Sequence, residues 1–199
     1  MHSANSGPEK EKTVMEHHVC PWYMGYVLAN PLRKLYQDPV KLLRPYVKTG
    51  MAVLEVGPGM GFFSLPMARI VGDEGKIYSV DLQERMLQTL RKRVAKKKLQ
   101  HIIEPRLCSE SSLEVKDLRD RIDFALAFAV VHEIPDRENL FREIYASLRQ
   151  GGILLVSEPK EHVSEEAFEE FLSVAKRVGF VVSETPKIRG SRSSVMRKT

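Results

Sequence analysis

Cysteine is scarce in this chain: Cys20 and Cys108 are the two among 199 residues. Two cysteines build no disulfide framework, and no C-x-x-C pair is present, so stapled secreted domains and common zinc modules are set aside. Long apolar runs are missing as well. The longest, Phe124–Val131, falls far short of the ~20 residues that span a bilayer. The opening MHSANSGPEKEK is polar and has no apolar h-region, so no signal peptide and no membrane association are expected. A reduced, cytoplasmic setting is the expectation that follows. Internal repeats are absent, and so is a G-x-x-x-x-G-K-[ST] phosphate loop. Acidic residues are missing from Lys187 to Thr199, which carries five basic ones. A second run, Arg91–Lys98, carries six, within a net charge of +5. Neither run is interleaved with aromatic residues, which argues against a stacking platform for single strands. In the second run Leu87, Leu90, Val94 and Leu99 form an apolar stripe, so the basic side chains face outward. A solvated helix face accounts for them; a nucleic-acid or anionic-substrate surface is the alternative.

What is present suits one domain with a sizeable core. Residues 1–13, rich in Ser, Asn, Gly, Pro and Lys, read as a disordered tail. Residues 14–48 read as a helical lid segment cut by Pro21, Pro31, Pro39 and Pro45. Residues 49–199 then alternate strand and helix. Strands are predicted at Met51–Val56, Lys76–Val80, Ile102–Leu107, Asp123–Val130, Ile153–Ser157, Phe180–Glu184 and Ser193–Arg197. Helices are predicted at Phe62–Val71, Gln83–Lys98, Arg137–Arg149 and Glu165–Val178. Gln150-Gly151-Gly152 is read as the end of the third of these helices, Ser164 as the cap of the fourth and Gly179 as its stop. Such alternation implies right-handed βαβ units, a mainly parallel sheet and helices on both faces. Ligands of such sheets bind outside the C-terminal strand ends.

The motifs cluster there. VLEVGPGMGFFS, residues 53–64, joins an apolar strand to a helix through Gly57, Gly59 and Gly61. A dinucleotide fingerprint is G-x-G-x-x-G; here the third glycine comes one residue early and Phe62 follows it. Glu55 precedes the glycines and would repel a pyrophosphate, but suits a cation. Asp81, 20 residues after Gly61, ends the next strand, where a carboxylate can accept from both hydroxyls of a ribose.

E-x-G-x-G-x-G, Asp81, DFALAFAVVHEIPD and QGGILLVSEPK together resemble the class I S-adenosylmethionine (SAM)-dependent methyltransferases, in particular the UbiE-like small-molecule enzymes. The resemblance covers roughly residues 20 to 199 and makes 49–199 the SAM-binding methyltransferase domain. It implies a Rossmann-like three-layer α/β sandwich whose seven-stranded sheet runs 3-2-1-4-5-7-6, with the last strand antiparallel. It implies SAM as cofactor, no metal, and S-adenosylhomocysteine as product after in-line displacement. The cofactor residues it points to are Glu55, Gly57, Pro58, Gly59, Gly61, Phe62, Asp81, Leu82, Ser109, Glu110, Phe128 and Ala129. The family's acidic partner for adenine falls at Ser109 here, with Glu110 one later. His132 is the candidate general base, against a structural hydrogen-bonded histidine. Trp22, Tyr23, Tyr26, Glu133 and Glu158 are the candidate acceptor contacts, and His162 projects from the same end of the sheet. His17, His18 and Cys20 are three metal-ligand types in four residues, without the spacing of a known metal module. Ala127-Phe128-Ala129-Val130 replaces the [DNS]-P-P-[FY] of exocyclic-amine base methyltransferases, which favours a small-molecule acceptor over nucleic acid. A binding module without turnover and a thiol or metalloid methyltransferase using Cys20 and Cys108 are the alternatives.

Overall fold

Seven strands form one sheet in the order β3-β2-β1-β4-β5-β7-β6 in the computed structural model, which describes residues 38–199. The tail at 1–13 and most of the lid segment, including His17, His18, Cys20, Trp22, Tyr23 and Tyr26, lie outside the described residues. The strands are β1 (Ala52–Val56), β2 (Lys76–Asp81), β3 (Ile103–Leu107), β4 (Ile122–Phe128), β5 (Leu148–Pro159), β6 (Phe180–Glu184) and β7 (Ser191–Lys198). The first five pair in parallel, and β7 lies antiparallel between β5 and β6.

The helices are α1 (Pro39–Leu43), α2 (Ser64–Val71), α3 (Glu84–Lys96), α4 (Arg137–Ser147) and α5 (Glu165–Val178). They cover both faces because the central strands are apolar on both. In β4, Phe124 and Leu126 face the core built with α2 and α3, where Met67, Leu87, Leu90 and Val94 pack. Ala125 and Ala127 face the opposite core, with Leu140, Phe141 and Ile144 of α4 and Phe168, Phe171 and Leu172 of α5. Near-continuous apolar strands are what two-sided burial requires. Asp136 caps α4 by accepting from the Asn139 N–H, and Ser164 caps α5 by accepting from Ala167. Gly179 ends α5 with φ +124°.

Several predicted boundaries move: β4 ends at Phe128 and not at Val130, and three other shifts have a local cause. Phe62 and Phe63 belong to the turn, and α2 starts at Ser64. Helix α3 stops at Lys96, and Lys98 turns left-handed at φ 56°. Gln150-Gly151-Gly152 lies inside β5, because Leu148 already pairs with Ile122 of β4; α4 ends at Ser147. The chain leaves β1 toward the α2 face and leaves β4 toward the α4 face. The two exits diverge between neighbouring strands and open a crevice at the C-terminal ends.

Candidate active site

That crevice is a cavity of about 330 Å³. Its floor is the glycine turn, with Gly57 and Gly59 on the surface. Gly57 has φ +69° and donates its N–H to the Val80 carbonyl at 2.9 Å. A Cβ there would stand 2.8 Å from Cγ2 of Val130, so the β4 exit packs directly onto this backbone. Gly59 has φ +53°, and a Cβ on it would meet no protein atom within 4 Å. The first glycine is demanded by the fold; the second leaves its free face to the cavity. Gly61 is set back from the cavity, where a Cβ would meet Leu90 of α3. Pro58 and Phe62 are also outside the lining.

Asp81 closes the floor. Its Oδ2 accepts from the Gly59 N–H at 3.2 Å and its Oδ1 from the Gln83 N–H at 2.8 Å. Burial pushes its carboxyl up to about 6, against the pull of these two hydrogen bonds. Leu82 lines the cavity beside it. Glu55 stands elsewhere. It is 2% exposed and does not border the cavity. Its Oε2 accepts from Ser64 Oγ at 2.5 Å and from Ser79 Oγ at 2.8 Å, at the N-terminus of α2. Burial drives its carboxyl up to about 7, with the serine bonds opposing and the Asp81 charge adding. Glu55 thus ties β1, β2 and α2 together from inside.

The wall after β3 runs from Cys108 to Leu113 and includes Ser109 and Glu110. Helix α4 holds it. Glu143 accepts from Ser112 Oγ at 2.8 Å and from the Leu113 N–H at 2.6 Å, and Asn139 donates to the Ser111 carbonyl at 2.8 Å. Asn139 and Glu143 both line the cavity, and sequence reasoning missed them. Their signal was an i, i+4 polar pair on the α4 face beside its apolar stripe. Burial, with the Asp81 charge, pushes the Cys108 thiol up to about 11.

The remaining wall is the exit of β4. Ala129 has φ +56°, and of the four non-glycine residues with positive φ among the described residues it alone lines the cavity. Phe128 ends the strand behind it, its ring 4.6 Å from that of Phe63. Val130 and Glu133 line the cavity; His132 and Glu158 do not. Glu158, fully buried, accepts from the Val130 and Val131 N–H groups at 3.1 and 2.9 Å and meets Nδ1 of His132 at 2.5 Å. Burial works against a charged His132, yet Glu158 and Glu133 outweigh it and raise the imidazole above its ordinary value. The His132 ring stacks on that of His162 at 5.6 Å. Among the described residues no group of three His, Cys, Asp or Glu could hold a metal ion, and no helix is long and apolar enough to cross a membrane.

Residues 47–188 match the family described as Methyltransferase domain. An arsenite methyltransferase of Halobacterium salinarum is 31% identical over 109 residues, 55% of this chain and 27% of that protein. A demethylmenaquinone methyltransferase of Listeria monocytogenes is 30% identical over 149 residues, 73% of this chain and 60% of that protein. The chain therefore spans about a quarter and three fifths of the lengths of these two relatives. A SAM-dependent methyltransferase from Aquifex aeolicus shares the fold, with a TM-score of 0.81 at 24% identity over 90% of this chain and 99% of that one. With the family matched over more than half of its length, this chain belongs to the class I SAM-dependent methyltransferases.

Proposed function

We propose that this protein transfers the methyl group of SAM to a small-molecule acceptor. The observation that carries the reading is the floor of the cavity: the Asp81 carboxylate, fixed by the Gly59 amide, beside a glycine face that no protein atom approaches. The residues fit the cofactor. Asp81 would accept from the ribose hydroxyls, and the Ser109–Leu113 wall with Leu82 would enclose the adenine. Gly57 and Gly59 would let the amino-acid portion lie against the backbone. When bound, SAM supplies an electrophilic methyl group on a sulfonium.

The chain's own part is to hold and enclose. Ala129, Val130 and Glu133 border the space left for the acceptor, and fixing the partners in one orientation removes most of the entropic barrier. The sulfonium makes the methyl reactive without activation by the protein, and His132 is set back from the cavity. The arsenite and demethylmenaquinone methyltransferases among the relatives support a small acceptor. The scarcity of cysteine supports a cytoplasmic setting.

Labelled SAM offered with a panel of small acceptors should yield labelled product. Asp81→Asn should weaken S-adenosylhomocysteine binding by at least ~10-fold in calorimetry, the scale of losing hydrogen bonds to a charged acceptor. Unchanged affinity in that variant sinks the assignment of Asp81.

A further inference from the structure

We infer that Glu158 is a positioning residue of the transfer site: from behind the cavity wall it fixes the turn Ala129–Glu133 and, through Val130, the glycine turn. The inference rests on the reading of this cavity as the SAM site.

A carboxylate with no exposed surface must find donors, and Glu158 finds three in three consecutive residues. Oε1 takes the Val130 and Val131 N–H groups, and Oε2 takes Nδ1 of His132. The residue just before them, Ala129, sits in the left-handed region, which alanine disfavours. That conformation persists because its surroundings impose it: the Ala129 N–H is also bound, to the Ser157 carbonyl at 2.7 Å. The Val130 side chain then presses on Gly57, leaving no room for a Cβ. One buried side chain on β5 thereby sets two walls of the cavity.

His132 completes the clamp. With Nδ1 on Glu158, Nε2 points away, 3.9 Å from Oε1 of Glu133. The groups around the ring are Glu158 from β5, Glu133 on its own turn, Arg137 from α4 and the stacked His162 from the loop after β5. A charged and a neutral imidazole can both keep a proton on Nδ1, so in the wild type the clamp survives the titration of His132. An amide in place of Glu158 behaves differently. Its oxygen still accepts from Val130 and Val131, but its NH₂ needs a bare Nδ1. Glu158→Gln therefore tolerates neutral His132 and not the imidazolium.

The probe is S-adenosylhomocysteine, titrated calorimetrically into the full chain at pH 8 and pH 5.5. Glu158→Ala should lose affinity at least tenfold at both. Glu158→Gln should stay within about threefold of wild type at pH 8 and fall further below it at pH 5.5, by up to about tenfold for an imidazole of ordinary basicity. Adding His132→Asn, whose side-chain oxygen can accept from the glutamine, should restore the acid-side affinity. Comparison with wild type at each pH cancels the titration of Asp81. Should Glu158→Ala fail to fold, the glutamine variant and its rescue carry the test. A Glu158→Gln defect that is the same at both pH values, or that His132→Asn does not relieve, overturns the clamp and leaves the cofactor reading standing. A wild type that does not bind S-adenosylhomocysteine overturns both.

Discussion

Gly57 and Gly59 are two residues apart, both left-handed, and should fail in different ways when replaced by alanine. The φ penalty is shared: at +69° and +53°, an L-residue costs roughly 1–2 kcal/mol. Gly59→Ala adds nothing to this, because its Cβ meets no atom within 4 Å. Gly57→Ala adds a steric term, since its Cβ would lie 2.8 Å from Cγ2 and 3.0 Å from Cβ of Val130. Val130 cannot step aside easily, as its N–H is bound to buried Glu158. Overpacking of this kind costs about 1–3 kcal/mol, for a total near 2–5 kcal/mol. Denaturant unfolding should therefore rank Gly57→Ala as the more destabilised by a factor of about two. Binding should rank them by another logic. The new methyl of Gly59→Ala occupies the face left to the ligand, so S-adenosylhomocysteine affinity should fall at least tenfold in a protein that remains well folded. If Gly59→Ala binds like wild type, or if the two variants unfold together, the division of labour assigned to these glycines is wrong.

Two further predictions concern carboxylates held by hydrogen bonds. Glu55 is raised from an ordinary value near 4.5 to about 7, so the folded state binds its proton more tightly than the unfolded chain does. Its contribution to stability is complete below pH ~4.5 and is lost as pH rises through about 7. Glu55→Gln does not titrate, so its melting temperature relative to wild type should climb between pH 5 and pH 8; a constant difference refutes this. Glu143→Ala removes the acceptor for Leu113 N–H and Ser112 Oγ, at a cost on the order of 1–3 kcal/mol to that wall. Amide exchange at Leu113 should accelerate and S-adenosylhomocysteine should bind more weakly, and protection as in wild type would count against the clamp from α4.

The alternating strands and helices, and the places of Gly57, Gly59 and Asp81 at strand ends, were legible because they depend on local periodicity and turn chemistry; the sheet order and its antiparallel last strand came only with the family resemblance. What was not legible depends on who sits across the sheet. Glu55 reads as a cation ligand when seen next to three glycines. Only the register that lays Glu55 beside Ser79, and the helix that brings Ser64 down on it, shows a carboxylate used inside the protein. Glu158 likewise reads as following a strand end and invites a role against the acceptor, until the turn after β4 supplies it with three donors. Gln150-Gly151-Gly152 has the composition of a helix stop, and pairing between Leu148 and Ile122 overrides it. Asn139 and Glu143 escaped notice because an apolar stripe identifies the buried side of a helix and says nothing of its polar flank.

The placement of β7 has a bearing on how the chain comes together. Residues 191–198 fill the gap between β5 and β6, and among the described residues β6 has no other strand partner. A nascent chain that has emerged only as far as the turn at Gly190 holds a five-stranded parallel sheet with the outer edge of β5 bare. Its sixth strand then has nothing to join. Assembly in the direction of synthesis cannot finish outward from the centre; it waits for a late segment to thread into the interior of the sheet. During that wait the β5 edge, with Leu154, Leu155 and Val156 along it, is open to pairing with another chain. The antiparallel strand is therefore the step at which this fold either closes or aggregates.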